Sequence, residues 1–233
     1  MFALAESRKL DRAPIRALVL SAGPAVKGHA QPALFSPTCD CPTSYARIEF
    51  RLGKPGALDA WIVSPDGKVV KQIARFRNVR RVALRWNGDD ETGKRVPDGS
   101  YRLRIRTAGS TRTLPVFVTV RTTPPRFHAT AAPKRLTLNG DGVDDHTVVT
   151  WRSPVQLFGV HLVATSDGRT QTVPVFRHSK AYSFQWPRVS YSTGGGCHVK
   201  HKPADGTWTL SLSAHDVAGN EATVALGTVQ VTR

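Results

Sequence analysis

Cysteine is scarce in this chain, with only Cys39, Cys41 and Cys197 among 233 residues. That excludes a disulfide-framework protein, and an odd count leaves at least one thiol unpaired within a monomer. Cys39 and Cys41 stand too close in sequence to bridge without strain, whereas either can meet Cys197 if the two halves of the chain pack together. Long apolar runs are missing too: no stretch of about 18 apolar residues marks a membrane-spanning helix. Acidic residues are few. With 17 Asp and Glu against 33 Lys and Arg the formal charge is +16, so the surface attracts polyanions such as nucleic acid, anionic polysaccharide or lipid head groups. No block of five or six cations occurs, however, and no recognition helix is visible, which argues against sequence-specific nucleic-acid binding. Many arginines stand singly at alternating positions, as at Arg102, Arg104 and Arg106, where they solvate an outer face and discourage edge pairing.

Catalytic patterns are equally absent. The serines lie in strands or turns without a nucleophile-elbow sequence, and His128, His146, His161, His178 and His215 follow no motif. Gly194-Gly195-Gly196 lacks the Lys and Ser/Thr of a phosphate-binding loop and reads as a flexible tip. Cys197-His198 with His201 offers soft and borderline ligands close together, but no second pair is evident beside them. The expectation is a non-catalytic protein.

What the chain does have is period-two alternation. Leu84 and Trp86 close one strand, Asn87 to Gly93 reverses the chain, and Pro97-Asp98-Gly99 turns into a strand whose Tyr101, Leu103 and Ile105 alternate with arginines. The second half repeats this plan at an offset close to 100 residues. Ser64-Pro65-Asp66-Gly67-Lys68 is echoed by Thr165-Ser166-Asp167-Gly168-Arg169, Trp86 by Trp186, and Asp98-Gly99-Ser100-Tyr101 by Asp205-Gly206-Thr207-Trp208. Each copy opens on a polar loop, Ser36 to Ser44 and Leu138 to Asp145, before a strand. The second copy inserts Ser190 to Pro203 after Trp186. Strands about ten residues apart, Gly, Pro and Asp-Gly punctuation, and no helical period predict an all-β fold of two tandem sandwiches, 34–121 and 126–233, about a hinge at Thr122-Thr123-Pro124-Pro125. Trp61, Trp86, Trp151, Trp186 and Trp208 all fall in or beside strands, where large aromatics fill the space between sheets.

Residues 1–33 read as a leader or flexible, poorly structured N-terminal segment. Arg12 and Arg16 precede a modest apolar stretch, Ala17 to Val26, and Gly28-His29-Ala30 has the small-x-small form of a cleavage site. Glu6 and Asp11 in front, and Ser21, Gly23 and Pro24 within, make any export signal degenerate.

Trp86-Asn87-Gly88-Asp89-Asp90, Gly93 and Val96-Pro97-Asp98-Gly99-Ser100-Tyr101 resemble the W-x-G-x-D-x-x-G-x-x-V-P-x-G-x-Y pattern of the Ig-like domain of flagellar hook-capping proteins. Asn139 to Asp145 resembles the S-P-N-G-D-G-x-N-D opening of bacterial Ig-like repeats, and Ala214 to Asn220 their A-x-D-x-A-G-N turn. Thr38 to Ser44 departs from that opening, with Cys39 and Cys41 where glycines would sit. The likeness covers roughly residues 34 to 231 and is sharper in the first copy. It implies tandem Ig-like or fibronectin III-like sandwiches acting as spacers, assembly modules or adhesive units. Nothing matches the region by which a hook-capping protein attaches to the flagellar rod, so it implies a module type rather than a flagellar role.

Asn139-Gly140-Asp141-Gly142-Val143-Asp144-Asp145 is the best metal candidate. A hard cation such as calcium wants several oxygens around a Gly-enabled turn, which Asn139, Asp141, Asp145 and the Val143 carbonyl can supply. Thr137 and Val148 stand where an EF-hand would place its first and last acidic ligands, and an Asx-type turn accounts for the same residues. Asp89, Asp90 and Glu91 form a second acidic cluster, with Arg85, Lys94 and Arg95 nearby to neutralise it. No other cofactor is implied. The sequence thus predicts a structural or adhesive module of a bacterial cell-envelope or secreted protein, located outside the cell or in its envelope, with envelope proteins or anionic surface polymers as partners. The rival is an accessory binding domain for anionic carbohydrate or cell-wall polymer. An exposed Trp61 or Trp151 beside arginines would favour the rival; five buried tryptophans would favour the structural reading.

Overall fold

A computed structural model describes residues 15–24, 33–107, 109–175, 178–190, 198–200 and 203–233, and no helix occurs among them. The chain separates into two compact units, Met1–Thr122 and Thr123–Arg233. The all-β expectation holds in both.

In the first unit six strands form one hydrogen-bonded network: β1 (Ile15–Ala22), β2 (Leu34–Phe35), β3 (Ala46–Val63), β4 (Val69–Trp86), β5 (Gly99–Thr107) and β6 (Ser110–Val120). β3 and β4 make a long antiparallel hairpin whose register slips between Arg51 and Gly56. At that slip β3 changes its second neighbour, from β1 along Ala46–Leu52 to β5 along Leu58–Val63. One hairpin therefore contributes to both sides of the core, as β1-β3-β4 on one side and β4-β3-β5-β6 on the other, with β2 added parallel to β6. Even-numbered Ile48, Phe50, Leu58, Ala60 and Ile62 of β3 meet Leu84, Trp86, Tyr101, Leu103 and Ile105 between the layers. Strict alternation requires this, because consecutive side chains of a strand point to opposite faces.

The second unit repeats the plan. Its strands are β7 (His128–Ala132), β8 (Arg135–Thr137), β9 (Thr147–Ser166), β10 (Arg169–Pro174), β11 (Ser179–Trp186), β12 (Arg188–Ser190), β13 (His198–Lys200), β14 (Gly206–His215) and β15 (Glu221–Thr232). The first part of β9 lies between β7 and β11, the last part between β10 and β14, and β15 and then parallel β8 extend the sheet. β10 and β11 thus take the places of the two halves of β4, and β12 pairs with β13 inside the inserted segment. Trp151, Trp186 and Trp208 are each at most 1% exposed in the core, where truncating one to alanine typically costs about 3–5 kcal/mol.

Two expectations need correction. Within residues 1–33, expected to be a leader or flexible segment, Ile15–Ala22 is a strand that pairs antiparallel with Ala46–Leu52 and buries Ile15 and Ala22. The apolar stretch read as a degenerate export signal, Ala17 to Val26, overlaps this strand, in which Ala17 and Val19 are exposed. The second correction concerns Trp61, which does not fill the core. Leu58, Ala60 and Ile62 take the inward positions of β3, so Trp61 falls on the outer face, partly buried.

Candidate functional site

Most of the sequence landmarks turn out to hold the chain rather than a ligand. Trp86 is buried at the end of β4 and its Nε1 donates to the Asp89 carbonyl at 2.8 Å. Gly88 has φ +72°, and a Cβ there would stand 3.1 Å from the Pro37 ring, so the close approach of two loops demands glycine. Asp90 Oδ1 accepts from the Thr92 amide and hydroxyl and from the Lys94 amide, closing the reversal. The Thr92 hydroxyl foremost holds the Asp90 carboxyl below the usual range. Tyr101 donates its hydroxyl to the Pro97 carbonyl at 2.7 Å, and Trp208 donates Nε1 to the Ala204 carbonyl at 2.9 Å. In both units the aromatic at the third residue of the strand ties back four residues, the corner that Ig-type sandwiches build from tyrosine.

The acidic cluster at Asp89, Asp90 and Glu91 is neutralised differently from the sequence expectation. Its ion pair comes from Lys71 of β4, which meets Asp89 at 2.5 Å, while Glu91 accepts the Gln72 amide. Arg85 lies over the Tyr45 ring and donates to Asn87, and Arg95 donates to the Asn87 carbonyl. Strand pairing carries Lys71 to the cluster from 18 residues away, which local sequence does not reveal.

The proposed calcium residues do come together. Asp145 is 2% exposed and accepts the Gly140 amide at 3.0 Å and the Gly142 amide at 2.8 Å, one on each carboxylate oxygen. Asn139 Oδ1 accepts the Asp141 amide, Asp141 Oδ1 accepts the Val143 amide, and Asp141 Oδ2 accepts from the Asn139 side chain. These are the bonds of nested Asx turns. A hard cation would draw on the same oxygens. At the corresponding opening of the first unit, Cys39 and Cys41 are joined to each other as a disulfide with their Cα atoms 5.2 Å apart, where the sequence left open a bridge from either one to Cys197. Turn bonds from the Cys39 amide to Ser36 and from the Ser44 amide to Cys41 fold this segment, and the Cα separation falls in the ordinary range for a bridge. Cys197 and His201 lie outside the described residues, as do the Gly194–Gly196 tip and the side chain of His198.

At the far end of β14, buried Asp216 accepts the amides of Ala218 and Asn220 and closes the hairpin to β15. His161 and His215 each turn a ring nitrogen to a backbone carbonyl. Among the described residues no three His, Cys, Asp or Glu gather into a metal-holding group. A depression at the bend of β3, bordered by Arg16, Lys54, Pro55 and Thr107, contains no carboxylate, histidine or cysteine among its lining residues.

The outer face of β4-β3-β5-β6 is different. Cross-strand pairing places Gln72, Trp61, Arg104 and Thr113 in one row, and Arg75, Asp59, Arg106 and Thr111 in the next. The Arg106 guanidinium lies 5.6 Å from the centre of the Trp61 ring, within cation–π reach. Asp59 bridges Arg106 and Arg75, and the hydrogen bond from Arg106 is the main cause holding its carboxyl below the usual range. Arg104 donates instead to neutral oxygens, the Gly67 carbonyl at 2.8 Å and the Thr113 hydroxyl at 3.2 Å, so no carboxylate offsets its charge there. Arg102 is exposed opposite Phe117, itself 53% exposed. Sequence reasoning placed Trp61 in the core. The parity of Leu58, Ala60 and Ile62 was the signal that locates it outside.

No protein-family model and no curated protein matches the chain. Among solved structures, the fibronectin(III)-like modules of Clostridium thermocellum CbhA align over 92% of this chain and 94% of theirs, at 14% identity and a TM-score of 0.38. The chicken interferon gamma receptor alpha chain aligns over 94% of this chain and 98% of its own, at 8% identity and a TM-score of 0.30. At such scores neither bears on function, and the fold rests on the strand pairing itself.

Proposed function

We propose that this chain is a non-catalytic pair of Ig-like modules serving a structural or adhesive role in a bacterial cell-envelope or secreted protein. One observation carries the reading: among the described residues, the carboxylates of the landmark turns are spent on the scaffold. Asp90, Asp145 and Asp216 each accept backbone amides within their own turns, and Asp98 accepts the amide and hydroxyl of Thr122. A carboxylate committed to several donors serves poorly as a general base, because proton uptake would cost those bonds. The likeness of Trp86 to Tyr101 to hook-capping Ig-like domains supports the module class and leaves a flagellar role unassigned. Fractionation of cells that carry the full chain tests the reading. Recovery in the envelope or the medium is expected, and retention in the cytoplasm would overturn it.

The rival reading, binding of an anionic carbohydrate or cell-wall polymer, gains from Trp61. It is the tryptophan outside the buried set, and it stands beside Arg104 and Arg106.

A further inference from the structure

The two units offer an internal comparison, because the same lattice positions are occupied in both. Tyr101 and Trp208 make equivalent corner bonds, which aligns Arg102, Arg104 and Arg106 of β5 with Thr209, Ser211 and Ser213 of β14. Pairing then sets Val163 opposite Ser211 where the first unit has Trp61 opposite Arg104, and His161 opposite Ser213 where it has Asp59 opposite Arg106. Completing those rows, the second unit reads Thr172, Val163, Ser211, Ala225 and Pro174, His161, Ser213, Thr223. The sandwich folds with small, mostly neutral groups on this face. The indole and the arginines on this face are therefore particular to the first unit.

We infer that the outer face of β3, β5 and β6 in the first unit is a binding site for an acidic polysaccharide, centred on Trp61 with Arg102 and Arg104 as its anion contacts. The inference deepens the rival reading, naming its binding residues, and rests on that reading; it does not depend on where the protein resides. Trp61 supplies an indole on the outer face, with Gln72 beside it on β4, Arg104 beside it on β5 and Thr113 one strand further along the same row. Alternate residues of a strand lie about 7 Å apart, so Arg102, Arg104 and Arg106 form a short comb of cations along one line. Arg106 is already matched by Asp59, whereas Arg104 carries its charge into a setting of neutral acceptors, and none of the ion pairs seen among the described residues involves Arg102. A ligand that presents hydroxyls and carboxylates along one chain complements such a mixed row. A DNA strand offers charge and bases but no hydroxyls along its chain, and non-specific strand binders use successive aromatic platforms.

The test titrates the full-length protein with oligogalacturonate, following tryptophan emission and calorimetry, with a neutral dextran oligomer and single-stranded DNA of equal charge as comparators. Saturable binding of oligogalacturonate is expected, with an emission change that comes from Trp61 because the other four tryptophans are buried. W61V, which copies Val163, and R102T/R104S, which copies Thr209 and Ser211, should each weaken binding at least tenfold. R77S/R80S, on exposed positions of β4, should change it less than threefold. Unchanged affinity in W61V, an equal loss in R77S/R80S, or tighter binding of DNA than of oligogalacturonate overturns the inference. If R102T/R104S fails to fold, W61V decides. A failure here leaves the fractionation result standing, so the two readings are separable.

Discussion

Removing one oxygen from Tyr101 tests the corner of the first unit. The phenol is 4% exposed, packs edge-on against Trp86 at 5.1 Å between ring centres, and gives its proton to the Pro97 carbonyl at 2.7 Å. Phenylalanine keeps the ring and its packing, so Y101F deletes the hydrogen bond alone. A net hydrogen bond contributes about 0.5–1.5 kcal/mol, and leaving a largely buried acceptor unmatched raises the cost toward 1–3 kcal/mol. We expect a loss of about 1–2 kcal/mol, or a fall of about 5–15 °C in the melting temperature for a unit of this size. Alkali provides an independent check. Burial foremost, and the charge of Asp98 second, push the Tyr101 phenol above its ordinary value near 10. A raised pKa in the folded state means that the contribution is fully present below about pH 10 and is lost as pH climbs through the folded value. Trp208 holds the same corner in the second unit and has no such proton. Hydrogen exchange read separately over Gly99–Thr107 and Gly206–His215 should therefore show alkaline weakening confined to the first strand and absent in Y101F. A Y101F loss below about 0.3 kcal/mol, or equal alkaline weakening of both strands, would refute the corner as the cause.

Other outcomes can be checked on the same protein. Gly159 has φ +56° and a Cβ there would sit 2.7 Å from His215 Nε2, so Gly159→Ala should cost about 1–3 kcal/mol by denaturant melt, with H215A restoring only the steric share. D145A removes a buried acceptor of two amides and should cost the second unit about 2–3 kcal/mol in the same assay. If calcium uses Asn139, Asp141, Val143 and Asp145, millimolar calcium raises the melting temperature of that unit and D141N abolishes the rise; an identical melt with chelator leaves the loop to its amide network alone. Peptide masses from unreduced protein should show Cys39 and Cys41 two hydrogens short of free thiols. Reduction should weaken the first unit by about 1–2 kcal/mol, the small effect of a short closed loop.

The repeat was legible because it rests on rules that local sequence obeys. Asp-Gly turns, alternation along Tyr101-Leu103-Ile105 and Trp208-Leu210-Leu212, and aromatics at matching places all recur in the strands that carry them. The boundary at residue 33 misses Ile15–Ala22 for a physical reason: its run Ala17-Leu18-Val19-Leu20 has no period-two alternation, so in sequence it reads as a weak export signal until a partner strand exists. Lys71 was out of reach because its acid, Asp89, is brought to it by the β4 strand and the turn after it.

Trp61 shows where the reading of tryptophans as core filler stops working. Burial of a large aromatic is the usual outcome because it removes so much apolar surface from water, and four of the five tryptophans obey it. On β3 the parity argument outranks that preference: exchanging faces would turn Leu58, Ala60 and Ile62 outward to place one indole inside, a net loss of buried apolar surface. Trp61 is therefore held outside by its neighbours, with the Arg106 guanidinium over its ring. The second unit settles the same constraint with Val163, flanked by Ser211 and Thr172. Both copies keep apolar residues at the inward positions of this strand pair, Ala60 and Ile62 in one and Leu162 and Ala164 in the other, so parity fixes which residues face outward and leaves their chemistry to differ.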